Sequence, residues 1–174
     1  MTTMNELNGT YVLDPSHSTL GFVARHAMIT KVRGSFTDFT GTGHVDGANP
    51  AASDVVVEMQ VGSVDTRNAD RDGHLKSGDF FDIEKYPTIT FKSTSIEAID
   101  ADSIEITGDL TIKDVTKQVT VPFEFTGAAT DPFGNERIGF EGRTEVNRRD
   151  FNLTWNAALD TGGVLGSEKI VLEV

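Results

Sequence analysis

Residues 103–125 read SIEITGDLTIKDVTKQVTVPFEF, and their apolar positions recur at every second residue. Ile104, Ile106, Gly108, Leu110 and Ile112 fall on one face, backed by Ser103, Glu105, Thr107, Asp109 and Thr111. Successive side chains of a strand point to opposite sides, so this spacing is that of a strand with one wet and one dry face. Lys113 and Asp114 supply turn chemistry, and Val119, Val121, Phe123 and Phe125 restart the alternation. Two amphipathic strands joined by a short turn are antiparallel neighbours. Pro122 falls on the outward face of the second strand; it cannot donate to a ladder, which points to an edge or a bulge.

The same period extends in both directions. Leu20, Phe22, Ala24, His26 and Met28 share a face, and residues 31–44 form a strand whose register shifts near Asp38. Val55, Val57, Met59 and Val61 follow, then Ile89 with Phe91. Beyond the turn at 131–135, Ile138, Phe140, Gly142, Thr144 and Val146 share a face, and Ile170, Leu172 and Val174 close the chain. Eight or nine strands result. A long meander with one apolar face closes into a barrel or stacks as a sandwich, and long strands favour closure because it removes their exposed edges. The expected fold is all-β: an extended antiparallel eight-stranded β-barrel, one domain over residues 1–174, with residues 1–8 as a flexible tail. Gly34, Gly108 and Gly142 stand on the inner face, where they either bend strands or leave room for a cavity.

One stretch breaks the alternation. Residues 63–91 read SVDTRNADRDGHLKSGDFFDIEKYPTITF. Asp65 and Thr66 are candidate helix caps, and residues 68–76 contain no β-branched residue to oppose a helix. Ser77 can cap a second single turn carrying Phe80 and Phe81 inward, and Pro87 ends the segment. This predicts a short helical lid over about residues 66–85.

Composition narrows the function. The 174 residues carry a net charge of −12, with no cysteine. Disulfides, thiolate nucleophiles and cysteine-based zinc sites are excluded together. The acidic balance disfavours nucleic acid and anionic membrane as partners. No apolar run approaches the ~20 residues of a spanning helix, so no stable membrane insertion is expected. The first residues have neither a basic nor an apolar signal region, which leads to an expected cytoplasmic location.

No nucleophile elbow, zincin, phosphate-loop or dinucleotide motif occurs. His17 and His26 lie nine residues apart, on opposite faces of one strand, so no metal pair is expected there. His26 shares the face of Leu20 and Phe22; it is a core histidine or a polar contact for a ligand headgroup. Asp70 and His74, at i and i+4 of the lid, are neighbours and form the one acid–base candidate. Without a recognisable third group, a solvated face is the simpler reading. Arg148 pairs locally with Asp150 or reaches a ligand.

Several separated motifs carry a family resemblance. Tyr11-Val-Leu-Asp-Pro-Ser-His-Ser, Phe22-Val-Ala-Arg-His26, the lid motif RDGHLKSGDFFD with YPTITFKST, Leu110-Thr-Ile-Lys-Asp-Val-Thr-Lys and Asn147-Arg-Arg-Asp-Phe151 occur in this order. Together they resemble the YceI-like polyisoprenoid-binding family, although Tyr11 stands where that family often has tryptophan. The resemblance implies a lipocalin-like barrel and non-enzymatic binding, storage or transport of a long-chain isoprenoid, such as a polyprenyl quinone or its precursor. The lipid would be the ligand, with no cofactor. Combined with the facing analysis, it implies a tunnel lined by Leu20, Phe22, His26, Phe80, Phe81, Phe91, Ile106, Leu110, Val121, Phe123 and Phe140, with Arg148 near an end. Two other readings stand beside it. One is an enzyme acting on a small apolar substrate, with His26 or Asp70 and His74 as acid and base. The other is a filled barrel acting through its surface, for example as a homodimer.

Overall fold

The computed structural model describes residues 4–14, 18–26, 30–77, 81–130, 132–134, 136–147 and 169–173; for residues 5, 23–26, 30–32, 147 and 169–173 it describes the backbone alone. Among the described residues eleven strands follow one another: β1 (Asn8–Val12), β2 (Leu20–His26), β3 (Thr30–Phe36), β4 (Phe39–Asp46), β5 (Asp54–Gln60), β6 (Val64–Asp65), β7 (Thr88–Ala98), β8 (Ser103–Ile112), β9 (Val115–Thr130), β10 (Glu136–Asn147) and β11 (Lys169–Glu173). The one α-helix among the described residues, α1 (Ala69–Lys76), lies between β6 and β7. The strands form one curled antiparallel sheet in the order β1-β4-β5-β7-β8-β9-β10-β11-β2-β3-β6.

The long strand expected over residues 31–44 is two strands bent at Thr37 and Asp38, and this bend closes the sheet on itself. β3 pairs with β2 at one margin of the sheet, while β4 pairs with β5 at the other. β5 likewise turns through Val61–Ser63 into β6, which pairs back onto β3 through Ser35↔Asp65 and Phe36↔Val64. The Thr37 amide donates to the Ser63 carbonyl (3.2 Å) and the Gln60 amide to the Asp38 carbonyl (2.9 Å), which ties the two bends together. With β3–β4 and β5–β6 each taken as one bent strand, the ring contains β3–β4, β5–β6, β7, β8, β9, β10, β11 and β2, the expected eight; β1 lies outside it, along β4. The bend is also the register shift: Phe36 and Phe39 are both buried although three residues apart.

A second corner sits in β10. Its first half pairs with β9, ending at Gly142↔Phe123, and its second half, Arg143 to Asn147, pairs with β11. This explains Pro122. β9 is not an edge strand, since it pairs with β8 through Glu105↔Pro122, but its ladder to β10 starts at Phe123. The residue without an N–H stands where one ladder stops. Near the hairpin tip Thr126 is an extra residue opposite the Gly139–Phe140 step, and Gly127, at φ 142, follows it. That positive φ suits glycine and no other residue.

The lid forms, with one change. Asn68, rather than Asp65 or Thr66, caps α1, its side chain accepting from the Arg71 amide at 3.0 Å. Asp70 and Asp72 in the first turn and His74 and Lys76 in the last complement the helix dipole. Thr66 instead buries itself against the helix: its amide and hydroxyl both donate to Asp72 Oδ1 (2.9 and 2.5 Å), and Arg71 Nε donates to its hydroxyl at 2.8 Å. The second capped turn expected after Ser77 falls partly on residues 78–80, outside the described residues; Ser77 itself is the C-cap of α1.

Of the expected tail, residues 1–3 lie outside the described residues, and the rest is held. Met4 and Leu7 are buried, and Asn8 already pairs with Asp46. Two large apolar side chains removed from water hold this segment down.

Candidate functional site

Alternation places one row of each strand inside the ring. At the α1 end this row is sealed. Phe36, Val61, Val64, Ile89, Leu110 and Ile112 form a buried cluster, and Phe22, Met59, Leu75, Phe81, Ile83 and Phe91 pack against it. The Phe36 ring lies 5.9 Å from that of Phe22 and 6.1 Å, edge-on, from that of Phe81. Leu75 is the one large apolar residue of α1 and packs against this cluster, while Arg71 and Asp72 hold the buried Thr66.

Away from α1 the inner face stays apolar but is less enclosed. Ile104 and Ile106 on β8, Phe123 and Phe125 on β9, and Ile138 and Phe140 on β10 are half-buried. The register puts Ile104 opposite Phe123 and Phe125 opposite Phe140, whose rings lie 5.3 Å apart. These inward apolar side chains keep surface that the residues around them do not cover.

The inner glycines are neither bends alone nor empty volume. The three atoms nearest to a Cβ on Gly34 would all be ring atoms of Phe22, its cross-strand partner. One on Gly142 would lie 2.5 Å from Phe123 Cδ1, and one on Gly108 2.6 Å from Phe91 Cζ. Three phenylalanines thus lie flat on glycines of the adjacent strand, as aromatic rings cover glycine in curved sheets. A ring laid along the wall does not fill the centre.

The residues expected to line a tunnel fall in several places. Leu20, Leu110 and Val121 are buried on the inner face, and Phe22, Phe81, Phe91, Ile106, Phe123 and Phe140 are half-buried. The His26 backbone pairs with Thr30 at the end of β2, but its side chain lies outside the described residues, as do Phe80 and Arg148. Asp70 is exposed and His74 half-buried on α1, at the lid rather than in the lumen. Among the described residues no group of three acidic or histidine side chains could hold a metal. None of their helices is long and apolar enough to cross a membrane.

Sequence reasoning missed the polar rim at the far end. Glu136 has the parity of Ile138 and Phe140, hence the inner face of β10, whereas Arg137 has the outer. The end of β1 clasps both. The Tyr11 hydroxyl hydrogen-bonds the Glu136 carboxylate, and Asp14 makes an ion pair with Arg137 Nη1. Burial first, then the charge and hydrogen bond of Glu136, raise the Tyr11 phenol above its ordinary pKa, so it stays protonated. A contact spanning more than a hundred residues leaves no local signal; the ion pair joins positions 123 apart.

A family model described as the YceI-like domain matches residues 11–174. The chain belongs to this family. Protein YceI of Escherichia coli is 44% identical over 137 residues, covering 79% of this chain and 71% of its own. The crystal structure of Burkholderia cenocepacia BcnA superposes with a TM-score of 0.81 over 92% of this chain and 96% of that one, at 24% identity. A polyisoprenoid-binding domain of Saccharophagus degradans matches with a TM-score of 0.66, over 96% and 95% of the two chains, at 14% identity. At these identities the two structures report on the fold, which they share with this family member.

Proposed function

We propose that this YceI-like protein binds a long-chain isoprenoid lipid in its lumen, a polyprenyl quinone or a precursor of one, and stores or carries it without chemical change. The observation that carries the reading is the wall of half-buried inward phenylalanines and isoleucines on β8, β9 and β10, kept thin by rings lying on glycines. The polyisoprenoid binding named for the Saccharophagus degradans domain of the same fold supports it. Transfer of a chain from water into such a wall is worth ~0.8 kcal/mol per buried CH₂, so a long prenyl chain needs few directional contacts. The lipid is cargo in this reading, and the acidic surface sets it apart from nucleic acid.

Native mass spectrometry of protein purified from its own host tests this. The expected result is an adduct whose mass, after release, carries the isoprene repeat. A bare mass, together with no adduct after addition of a prenyl quinone, overturns the proposal.

A further inference from the structure

The lid is attached to the sheet by little of itself. Among the described residues from Arg67 to Pro87 none is buried, although Phe36, Val61, Val64 and Ile89, on which it packs, are 1–7% exposed. Its backbone closes on itself. Phe81, Asp82 and Ile83 donate to the carbonyls of Leu75, Ser77 and Lys76, each at 2.9 Å, and Lys85 and Tyr86 donate to that of Asp82. These bonds fold residues 81–86 back onto α1. Among the described residues no backbone hydrogen bond runs from residues 67–86 to a strand of the sheet. What holds this body down is the half-buried trio Leu75, Phe81 and Ile83, which packs on the buried cluster with the Phe81 ring edge-on to Phe36.

At its entry the attachment is of a different kind. Thr66, which directly follows the two-residue strand β6, is buried and gives both its donors to Asp72 Oδ1. Arg71 donates to the Thr66 hydroxyl and, at 2.9 Å, to its carbonyl. Charge-assisted hydrogen bonds shielded from water in this way are strong. Between this foot and the helix cap stands Arg67 at φ 62, a left-handed conformation that costs a non-glycine residue free energy; Asp65 Oδ1 accepts from its amide at 2.8 Å. At the exit the Pro87 carbonyl accepts from the Val61 amide at 2.9 Å, which fixes the chain to the sheet again. Lifting the segment between Thr66 and Pro87 thus breaks apolar contacts and no described backbone bond to a strand, so it costs far less than unfolding the sheet.

Resting on the lipid-binding reading above, we propose that residues 68–77 and 81–86 undock from the sheet as one body, turning about the Thr66–Asp72–Arg71 cluster, and that an apolar chain enters over the surface this uncovers. Undocking bares Phe36, Val61, Val64, Ile89, Leu110 and Ile112. A prenyl chain can cover these residues in place of Leu75, Phe81 and Ile83. A ligand that needs the open form binds at a rate set by the open fraction, so a change that loosens the three docking side chains speeds entry in proportion. The foot stays made throughout, which returns the lid to the same seat.

Hydrogen exchange followed by NMR on the full-length protein tests the undocking. The amides of Phe81, Asp82, Ile83, Lys85 and Tyr86 are expected to share one level of protection, at least about tenfold below that of the β8 and β9 amides. Leu75→Ala should raise the exchange of all of them by one common factor, about tenfold, while β8 and β9 change less. Thr66→Val, at the pivot, should shift them by less than about twofold relative to the same strands, because the foot is present on both sides of the equilibrium. Protection equal to that of β8 and β9 overturns the moving body. So does a Leu75→Ala effect confined to the Phe81 amide, which is bonded to Leu75, or a Thr66→Val effect as large as that of Leu75→Ala. Association of geranylgeraniol with the wild-type protein and with Leu75→Ala then reads the entry, and its rate should rise by the factor that the amides show. An unchanged rate overturns the entry route. If geranylgeraniol binds neither protein, the lipid-binding reading fails and takes the entry route with it, while the amides by themselves still decide the undocking.

Discussion

At the α1 end of the ring, inward side chains meet one another; at the hairpin end, side chains of the same kind face inward and meet far less. Leu110 and Ile112 are 5% and 7% exposed, whereas Ile104 and Ile106 on the same face of the same strand are only half-buried. The difference lies in what covers them. The bends at Thr37–Asp38 and Val61–Ser63 bring Phe36, Val61 and Val64 across the bottom of the ring, and Leu75 and Phe81 come down from the lid. No comparable set crosses the other end among the described residues, where the closing contacts are the polar ones of Tyr11 and Asp14. One sheet thus carries a core that stabilises it and, a few residues further along each strand, a surface left for something else.

Truncation at the two ends should break or confirm this contrast, and it carries the largest expected effect. Phe36→Ala removes a buried ring from the sealed cluster and should cost about 3–5 kcal/mol in chemical denaturation. Phe140→Ala, in the half-buried row, should cost only about 1–2 kcal/mol, because less of its ring leaves water on folding. Phe140→Ala should also weaken binding of an apolar prenyl chain, while a measurable fraction of folded protein remains. Equal losses for the two variants would mean that the far end is packed as tightly as the lid end, and the lumen would disappear with the contrast.

A smaller effect sharpens the account of the wall. The three atoms nearest to a methyl group on Gly34 all belong to the ring of Phe22, with no backbone atom among them. Gly34→Ala should therefore destabilise by about 1–3 kcal/mol through overpacking. Phe22→Leu made alongside it should recover much of that loss, a coupling a double-mutant cycle can read. If Gly34→Ala proves neutral, or if the two changes simply add, the ring is not pinned on the glycine and the wall is less defined than the contact implies.

These residues also show how far the sequence could be read. Period-two alternation marked the inner face of nearly every strand, because the side-chain period of a strand is a local property. Gly34, Gly108 and Gly142 were visible on that face, but whether they made room for a cavity or for a ring depends on the residue opposite. Register decides it, and register is a long-range property. The bend at Thr37–Asp38 was legible as a slip in the alternation, though not as the point where the ring closes. From the sequence, Asp65 and Thr66 read as the candidate caps of α1, and Asn68 as part of the helix itself. The structure gives the cap to Asn68, since Thr66 is committed to Asp72 and Arg71. Tyr11 and Glu136 could not have been paired at all from the sequence. Each is an ordinary residue until β1 is laid against the start of β10.

The smallest expected effect probes that pairing through pH. Tyr11→Phe removes one partly buried hydrogen bond and should cost about 0.5–1.5 kcal/mol at neutral pH. The Tyr11 phenol has a raised pKa in the folded state, by burial and by Glu136. The folded chain therefore holds its proton more tightly than the unfolded chain does. Between the unfolded value, about 10, and the higher folded one, the native state binds more protons, so stability falls as pH rises. The contribution of Tyr11 is fully present below that window and is lost as the pH climbs through it. Denaturation of wild type and Tyr11→Phe in parallel should then show a gap that is constant up to about pH 9 and closes above it. Other titrating groups are shared by the two chains and cancel in the difference. A gap that persists or widens at alkaline pH would mean that Glu136 does not hold the phenol, and the far end of the lumen would lose the polar pair that distinguishes it from the lid.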